Sequence, residues 1–97
     1  MIDAWPFADP RNVAVFTVRD IVEMRRPILI VNHDTEDGAW QFLTGEPLNM
    51  KDAMLVSLSE IVRLDPTVAV LADLPIGWQA TRARVGDNWR RSAAPSI

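Results

Sequence analysis

The residues best suited to chemistry lie in one short segment, residues 33–37. It contains His33, the single histidine of the chain, followed by the acids Asp34, Glu36 and Asp37. Histidine titrates near neutral pH, so His33 could act as a general base if a carboxylate oriented it. No cysteine and no Gly-x-Ser-x-Gly motif supplies a recognisable nucleophile, so we assign no catalytic residue. Two interpretations stay open: a hydrolase centred on His33, or a histidine hydrogen-bonded to a turn backbone.

The same three carboxylates are oxygen ligands of the kind that calcium and magnesium prefer. Their spacing differs from that of an EF-hand loop, in which ligands alternate over about twelve positions. One histidine without a second ligand cluster gives little basis for a transition-metal site. The four glycines are isolated and form neither a Walker A nor a dinucleotide-binding motif. We therefore expect no metal and no cofactor, with a metal-dependent enzyme at His33 as the alternative to a solvated acidic turn.

The chain has four tryptophans and no tyrosine, which is unusual in a domain of this size. They are Trp5, Trp40, Trp78 and Trp89. Tryptophan anchors many interfaces, but it also fills cores. The strand pattern places Trp78 on the same face as Arg82 and Arg84, where indole and guanidinium groups could form a binding patch. A purely structural role for all four tryptophans is the alternative. The candidate binding residues are His33, Asp34, Glu36, Asp37, Trp40, Trp78, Arg82 and Arg84.

Charge is distributed unevenly along the 97 residues, whose net charge is −3. Residues 79–97 contain four arginines and one acid, so the rest of the chain is strongly acidic. This balance argues against a nucleic-acid partner, which needs a basic footprint, and favours a protein partner or a charged sheet face. No apolar run is long enough to span a membrane, and the first residues lack a signal-peptide pattern. Together with the absence of cysteine, this predicts a cytoplasmic protein.

The elements that position these residues can be predicted from hydrophobic periodicity and from turn signals. We predict a single domain over residues 1–92, with an irregular lead-in at residues 1–12 and a flexible tail at residues 93–97. Helices are expected between Thr17 and Pro27, over residues 57–64, and from Asp65 until Leu74-Pro75 closes the last one. Strands are expected over residues 13–16, 28–32, 39–43, 53–56, 77–85 and 88–91.

Local signals set several of the predicted boundaries. Thr17, three residues before Asp20, matches an N-cap, and Ser57 with Glu60 forms a capping box. Asp65 followed by proline matches the start of another helix. Residues 86–87, Gly-Asp, are typical of a two-residue hairpin turn.

The predicted element order is β-α-β-β-β-α-α-β-β. Short connections between consecutive strands favour antiparallel pairing, and amphipathic helices need a sheet face to cover. We therefore expect a two-layer α+β fold. It consists of one mainly antiparallel sheet of four to six strands, with two or three short helices mostly on one face.

Two motifs resemble a family of small bacterial domains of unknown function. Residues 37–42 read Asp-Gly-x-Trp-Gln-Phe, and residues 73–78 read Asp-Leu-Pro-x-Gly-Trp. The resemblance covers roughly residues 9–91. More distantly, the chain is similar to immunity proteins of bacterial polymorphic toxin systems, which share an acidic turn before a Gly-Trp-x-Phe strand, a later Asp-Pro turn and a Pro-x-Gly segment. The resemblance implies a compact α+β domain with a binding role.

The leading hypothesis is a small cytoplasmic protein-binding module, immunity-like or regulatory. Either the acidic turn at residues 34–37 meets a basic patch, or the face of Trp78, Arg82 and Arg84 meets an acidic one. The alternatives are a hydrolase or metal-dependent enzyme centred on His33, and a structural homo-oligomer paired through its sheet edges. The oligomeric state, monomer or homodimer, is left open.

Overall fold

Six short strands form one sheet in the computed structural model, which describes residues 4–94. The strands are β1 Ala14–Val18, β2 Ile30–His33, β3 Trp40–Leu43, β4 Ala53–Ser57, β5 Trp78–Thr81 and β6 Arg90–Ala93. Their order across the sheet is β4-β1-β3-β2-β5-β6. β1 and β3 pair in parallel, and the other neighbours are antiparallel. The α+β class and the mainly antiparallel sheet are confirmed.

The helices are short, and the two that follow β4 begin where local signals predict, whereas the one just before β4 was not predicted. They are α1 Arg19–Val22, α2 Leu58–Leu64, and 3-10 helices at Met50–Asp52 and Pro66–Leu71. Ser57 Oγ accepts from the Glu60 N–H at 3.2 Å, which confirms the predicted cap of α2. The Asp65 side chain caps the next helix, with proline at its first position. That segment is a 3-10 helix.

The two faces of the sheet differ in what covers them. Side chains alternate between faces along each strand, so each face has its own composition. One face packs against the helices and forms the core. The core residues are Phe7, Val15, Ile21, Ile28, Val31, Trp40, Phe42, Leu58, Ile61, Val68, Leu71, Leu74 and Ala80. The opposite face includes Phe16, Gln41 and Leu55, which are half-buried or exposed. The helices therefore cover mostly one face, as expected.

The prediction that Thr17 caps the first helix is wrong. Thr17 is fully buried in β1, and its Oγ1 donates to the Phe42 carbonyl at 2.9 Å. β1 stays paired with β4 through Val18, so α1 begins only at Arg19. It ends at Val22, well before the predicted stop at Pro27. The Thr17 hydroxyl therefore has its partner on β3, and the pairing of β1 with β4 keeps Thr17 and Val18 in the strand.

The predicted long strand over residues 77–85 and its two-residue turn are also wrong. β5 ends at Thr81, which pairs with Arg90, so residues 82–89 form the connection. The Arg82 N–H still donates to the Leu29 carbonyl at 3.0 Å, and the Arg82 side chain turns inward to bind the Ile28 carbonyl. Gly86, with φ of 96°, lies within this longer loop.

Both ends of the described chain pack on the body. Residues 4–12 contain no helix or strand, as predicted for the lead-in, and Phe7 packs edge-on against Trp40 with ring centroids 5.3 Å apart. The tail predicted from residue 93 is wrong at its start, because Ala93 belongs to β6 and the Ala94 N–H donates to the Gly77 carbonyl at 2.8 Å. The remaining residues of the predicted tail, 95–97, and residues 1–3 of the lead-in lie outside the described residues. Within residues 4–94, no helix has the length and apolar character needed to cross a membrane.

Candidate functional site

The acidic turn joins β2 to β3, and its own side chains fix its shape. The Asp34 N–H donates to the Ala39 carbonyl at 2.8 Å, and the Gly38 N–H donates to the Asp34 carbonyl. Asp34 Oδ1 accepts from the Glu36 N–H, and Asp37 Oδ1 accepts from the Ala39 N–H, at 3.0 and 2.9 Å. Such Asx turns hold the backbone without needing a ligand. The turn is therefore ordered by local hydrogen bonds, which hold the side chains of Asp34 and Asp37 in place.

His33 is held by two contacts at the end of β2. Its ring stacks on Trp40 with centroids 3.9 Å apart and an angle of 13° between planes. Nδ1 lies 2.7 Å from the Leu74 carbonyl, which only accepts, so Nδ1 carries a proton. His33 thus fastens the segment before β5 to the hairpin, which matches the interpretation of a histidine satisfied by backbone.

Two serines that could act as nucleophiles, Ser57 and Ser59, lie away from His33 in the sheet. Ser57 and Ser59 hydrogen-bond to each other at 3.1 Å, at the end of β4 and the start of α2. β1 and β3 separate β4 from β2, the strand that ends at His33. Within residues 4–94, no three histidine or acidic side chains converge as metal ligands would. The catalytic and metal-dependent alternatives therefore gain no support from the geometry.

Trp40 is buried, with 1% of its surface exposed. Its Nε1 donates to Asp9 Oδ1 at 3.3 Å, and its ring lies between His33 and Phe7. A buried indole with a satisfied N–H is typical of a core residue. The structure therefore places this candidate binding residue beneath the acidic turn, where it supports the turn from inside.

Arg82 is the most completely bonded charge in the described chain. Nε and Nη2 donate to the Ile28 carbonyl at 3.0 and 2.9 Å, and Nη2 also donates to Asp65 Oδ2 at 2.8 Å. Nη1 donates to Thr67 Oγ1, and the guanidinium lies 4.1 Å from the Trp89 ring centroid. The buried charge of Arg82 is tolerated because each of its three guanidinium nitrogens donates a hydrogen bond.

The predicted open patch of Trp78, Arg82 and Arg84 is wrong. The Arg82 side chain is only 1% exposed. Arg84 lies beyond the strand in the loop, 83% exposed, and faces Asp87 at 3.4 Å. The alternation of a long strand, which placed the three on one face, ends at Thr81. The cation–π contact exists, but it joins Arg82 to Trp89 inside the fold.

An acidic-apolar surface, which we define as Asp34, Glu36, Asp37, Ile76 and Trp78, remains open. The Gly77 N–H donates to the His33 carbonyl at 2.7 Å, which brings the two segments together. A methyl group placed on Gly38 would lie 3.6 Å from Ile76 Cδ1. Ile76 is 58% exposed and Trp78 37% exposed. Exposed Ile76 therefore lies beside the turn that carries the three carboxylates, and Trp78 is two residues further along the same segment.

The acids of this surface differ from most others in the chain. Among residues 4–94, no basic side chain forms an ion pair with Asp34, Glu36 or Asp37. Most of the remaining acids do have such partners. These are Asp20, Glu23, Glu46, Asp52, Glu60, Asp65, Asp73 and Asp87. The acidic-apolar surface thus presents negative charge that the described fold does not neutralise.

Paired carboxyls elsewhere show the electrostatic effect of a neighbouring arginine. The Arg63 hydrogen bond lowers the pKa of Glu60, and the Arg91 hydrogen bond lowers the pKa of Asp73. In both cases the positive charge favours the ionised carboxylate. Both pairs are exposed, so they contribute little to stability.

A cavity of about 450 Å³ lies between α1 and the end of α2, away from His33. Its apolar lining includes Ile21, Met24 and Val85. Arg25 and Arg26 also line this cavity, but both form ion pairs with acids. It carries no unneutralised charge comparable to that of the acidic-apolar surface.

Sequence reasoning missed Ile76, which stands between proline and glycine in the second motif. A single apolar residue between two turn formers was the available signal, because such a position often projects from a loop. The chain was compared with protein-family models, with curated proteins and with solved structures, and none of the three comparisons gave a match. The family resemblance stays a prediction, and the candidate site rests on its geometry.

Proposed function

We propose that this domain is a small protein-binding module, immunity-like or regulatory, that uses the acidic-apolar surface. The observation that supports it most is the set of three carboxylates without a described cationic partner beside exposed Ile76 and Trp78. The partner that fits is a basic protein surface with a shallow apolar pocket. A cytoplasmic location belongs to the same proposal, supported by a chain without cysteine.

The charges suit recognition. An unneutralised acidic group attracts a basic partner at long range and disfavours acidic ones. The two Asx turns fix Asp34 and Asp37 before binding, so little conformational entropy is lost when a partner docks. Electrostatic complementarity therefore accounts for selectivity and for the rate of encounter.

The apolar side chains suit affinity. Tryptophan is enriched among residues that dominate binding energy, particularly where surrounding contacts exclude water. Trp78 sits at the start of β5, a strand paired on both sides, so the backbone beneath it is rigid. An acidic partner would need the face of Trp78, Arg82 and Arg84 to be exposed, and the Arg82 side chain is buried.

The experiment is a comparative capture from a lysate of the source cells, read by mass spectrometry. The bait is the full chain, beside a neutralised variant carrying Asp34→Asn, Glu36→Gln and Asp37→Asn. Asparagine keeps the oxygen that accepts each turn hydrogen bond, so the fold is preserved while the charge is lost. The expected result is one basic protein retained by the wild type and lost from the neutralised variant.

A matched control removes the same charge elsewhere. Glu23→Gln, Glu46→Gln and Asp73→Asn also delete three acids, all of them ion-paired and outside the acidic-apolar surface. This control should retain the partner. If neither variant retained the partner, net charge alone would explain binding. If all three baits retained it equally, the acidic turn would not be part of the interface.

A further inference from the structure

The two edges of the sheet are protected very differently. β6 forms one edge and begins with Arg90 and Arg91, charges that hinder pairing with another strand. β4 forms the other edge, and its sequence, Ala-Met-Leu-Val-Ser, contains no charge. Its central residue, Leu55, is 72% exposed. An uncharged edge strand of this kind is a template for pairing with another chain.

The hydrogen-bond phase of β4 can be read from its pairing with β1. The Leu58 N–H donates to the Val13 carbonyl at 2.9 Å, which identifies that pair as hydrogen-bonded. Bonded and non-bonded pairs alternate in an antiparallel ladder. Val56 and Met54 therefore bond to β1, and the backbone groups of Ala53, Leu55 and Ser57 point away from it.

Two of these outward groups are already used. The Ala53 N–H donates to the Met50 carbonyl, and the Ser57 carbonyl, at the N-cap of α2, accepts the first helical bond. Within residues 4–94, four groups at this edge have no backbone partner: the Ala53 carbonyl, the Leu55 N–H and carbonyl, and the Ser57 N–H. Two donors and two acceptors are thus arranged symmetrically about Leu55.

We propose that β4 pairs with β4 of a second copy of this chain, antiparallel, about a two-fold axis at Leu55. Leu55 then exchanges two hydrogen bonds with its own copy, and each Ser57 N–H donates to the other copy's Ala53 carbonyl. The two groups already used, the Ala53 N–H and the Ser57 carbonyl, fall opposite each other. A strand whose free groups match their own two-fold image needs no other partner.

The side chains agree with this register. Leu55 lies opposite its own copy on the face that the helices leave open, and its cross-strand neighbour on β1 is Phe16. The leucines and phenylalanines of both copies therefore form one apolar strip across the joint. No charged residue within β4 opposes another in this arrangement.

The test is sedimentation equilibrium of the full chain over a wide concentration range. The wild type should shift from its monomer mass of 10.9 kDa to twice that mass as concentration rises. Leu55→Lys and Leu55→Glu should each stay monomeric at every concentration, because residue 55 faces itself and like charges are placed directly opposite. Mixing the two variants should restore a dimer, since opposite charges then meet.

Two controls keep the outcome decisive. Val70→Lys alters a residue that is 61% exposed on the 3-10 helix and should leave dimerisation unchanged. Circular dichroism checks that both Leu55 variants remain folded. A wild type that is monomeric throughout, or single variants that dimerise as well as the wild type, would overturn the proposal. The neutralised variant, which lacks the three charges of the acidic turn, should still dimerise. Its dimerisation therefore tests this inference independently of the proposed function.

Discussion

Two loops that leave neighbouring strands show how similar sequence signals lead to opposite outcomes. The turn after β2 carries Asp34, Glu36 and Asp37, and the loop after β5 begins with Arg82. The Arg82 charge enters the core, where a carbonyl and a carboxylate receive it. In the turn, Asp34 and Asp37 accept hydrogen bonds from backbone N–H groups two residues further along the chain. A charge at a strand end is therefore structural or available for binding according to the partners that the fold supplies.

The largest expected effect is on the buried side of this comparison. Arg82→Ala removes the guanidinium that donates to the Ile28 carbonyl and to Asp65 Oδ2, which should lower the free energy of unfolding by about 3 kcal/mol. Urea denaturation measures the loss. Arg84→Ala, in the same loop but exposed, should change it by less than about 0.5 kcal/mol. Equal midpoints for the two variants would refute the structural role of Arg82.

The second effect concerns the support beneath the acidic turn. His33→Ala removes the Nδ1–H bond to the Leu74 carbonyl and the stacking on Trp40. Together these contacts should account for about 2 kcal/mol of stability. Thermal or urea unfolding provides the measurement. A variant as stable as the wild type would show that His33 does not fasten the two segments.

A smaller effect separates the charge of the turn from its geometry. Asp37→Ala loses the oxygen that accepts the Ala39 N–H and should cost about 1 kcal/mol. Asp37→Asn keeps that oxygen and should unfold at nearly the same urea concentration as the wild type. If both substitutions destabilise equally, the carboxylate charge itself stabilises the turn, and the contrast with Arg82 weakens.

The smallest effect is the pH response of exposed ion pairs. Neighbouring arginines lower the folded-state pKa of Asp73 and Glu60, so the unfolded chain binds protons more readily. Their contribution to stability is present above the ordinary carboxyl range and is lost as pH falls below about 4. When the pH is lowered from neutral to acidic, the urea midpoint should therefore fall slightly less for Asp73→Asn than for the wild type. If the urea midpoints of the two proteins fell equally at acidic pH, the Asp73–Arg91 ion pair would not contribute to folding stability.

Much of the fold could be predicted because its signals are local. Ser57 with Glu60 and Asp65 with proline mark helix starts through bonds spanning two or three residues. The alternation of Trp40 and Phe42 identifies a buried strand face. These patterns depend on the chain's immediate neighbours, so sequence alone contains them.

The errors arose where a distant partner decided the outcome. Thr17 matches a helix cap, yet it bonds to Phe42, and Arg82 matches an exposed strand residue, yet it bonds to Ile28. Nothing near these residues in sequence shows the acceptor. The position of the acidic turn was predictable, but its lack of cationic partners within the described chain and its contact with Ile76 depend on how separate segments meet.

The proposed function is tested most directly by measuring affinity for the captured partner. Isothermal titration would compare the wild type with the neutralised variant at low and high salt. Three lost charge contacts should weaken binding about tenfold at low salt and remove most of the salt dependence. Equal affinity and an equal salt response for the two proteins would contradict binding through the acidic-apolar surface.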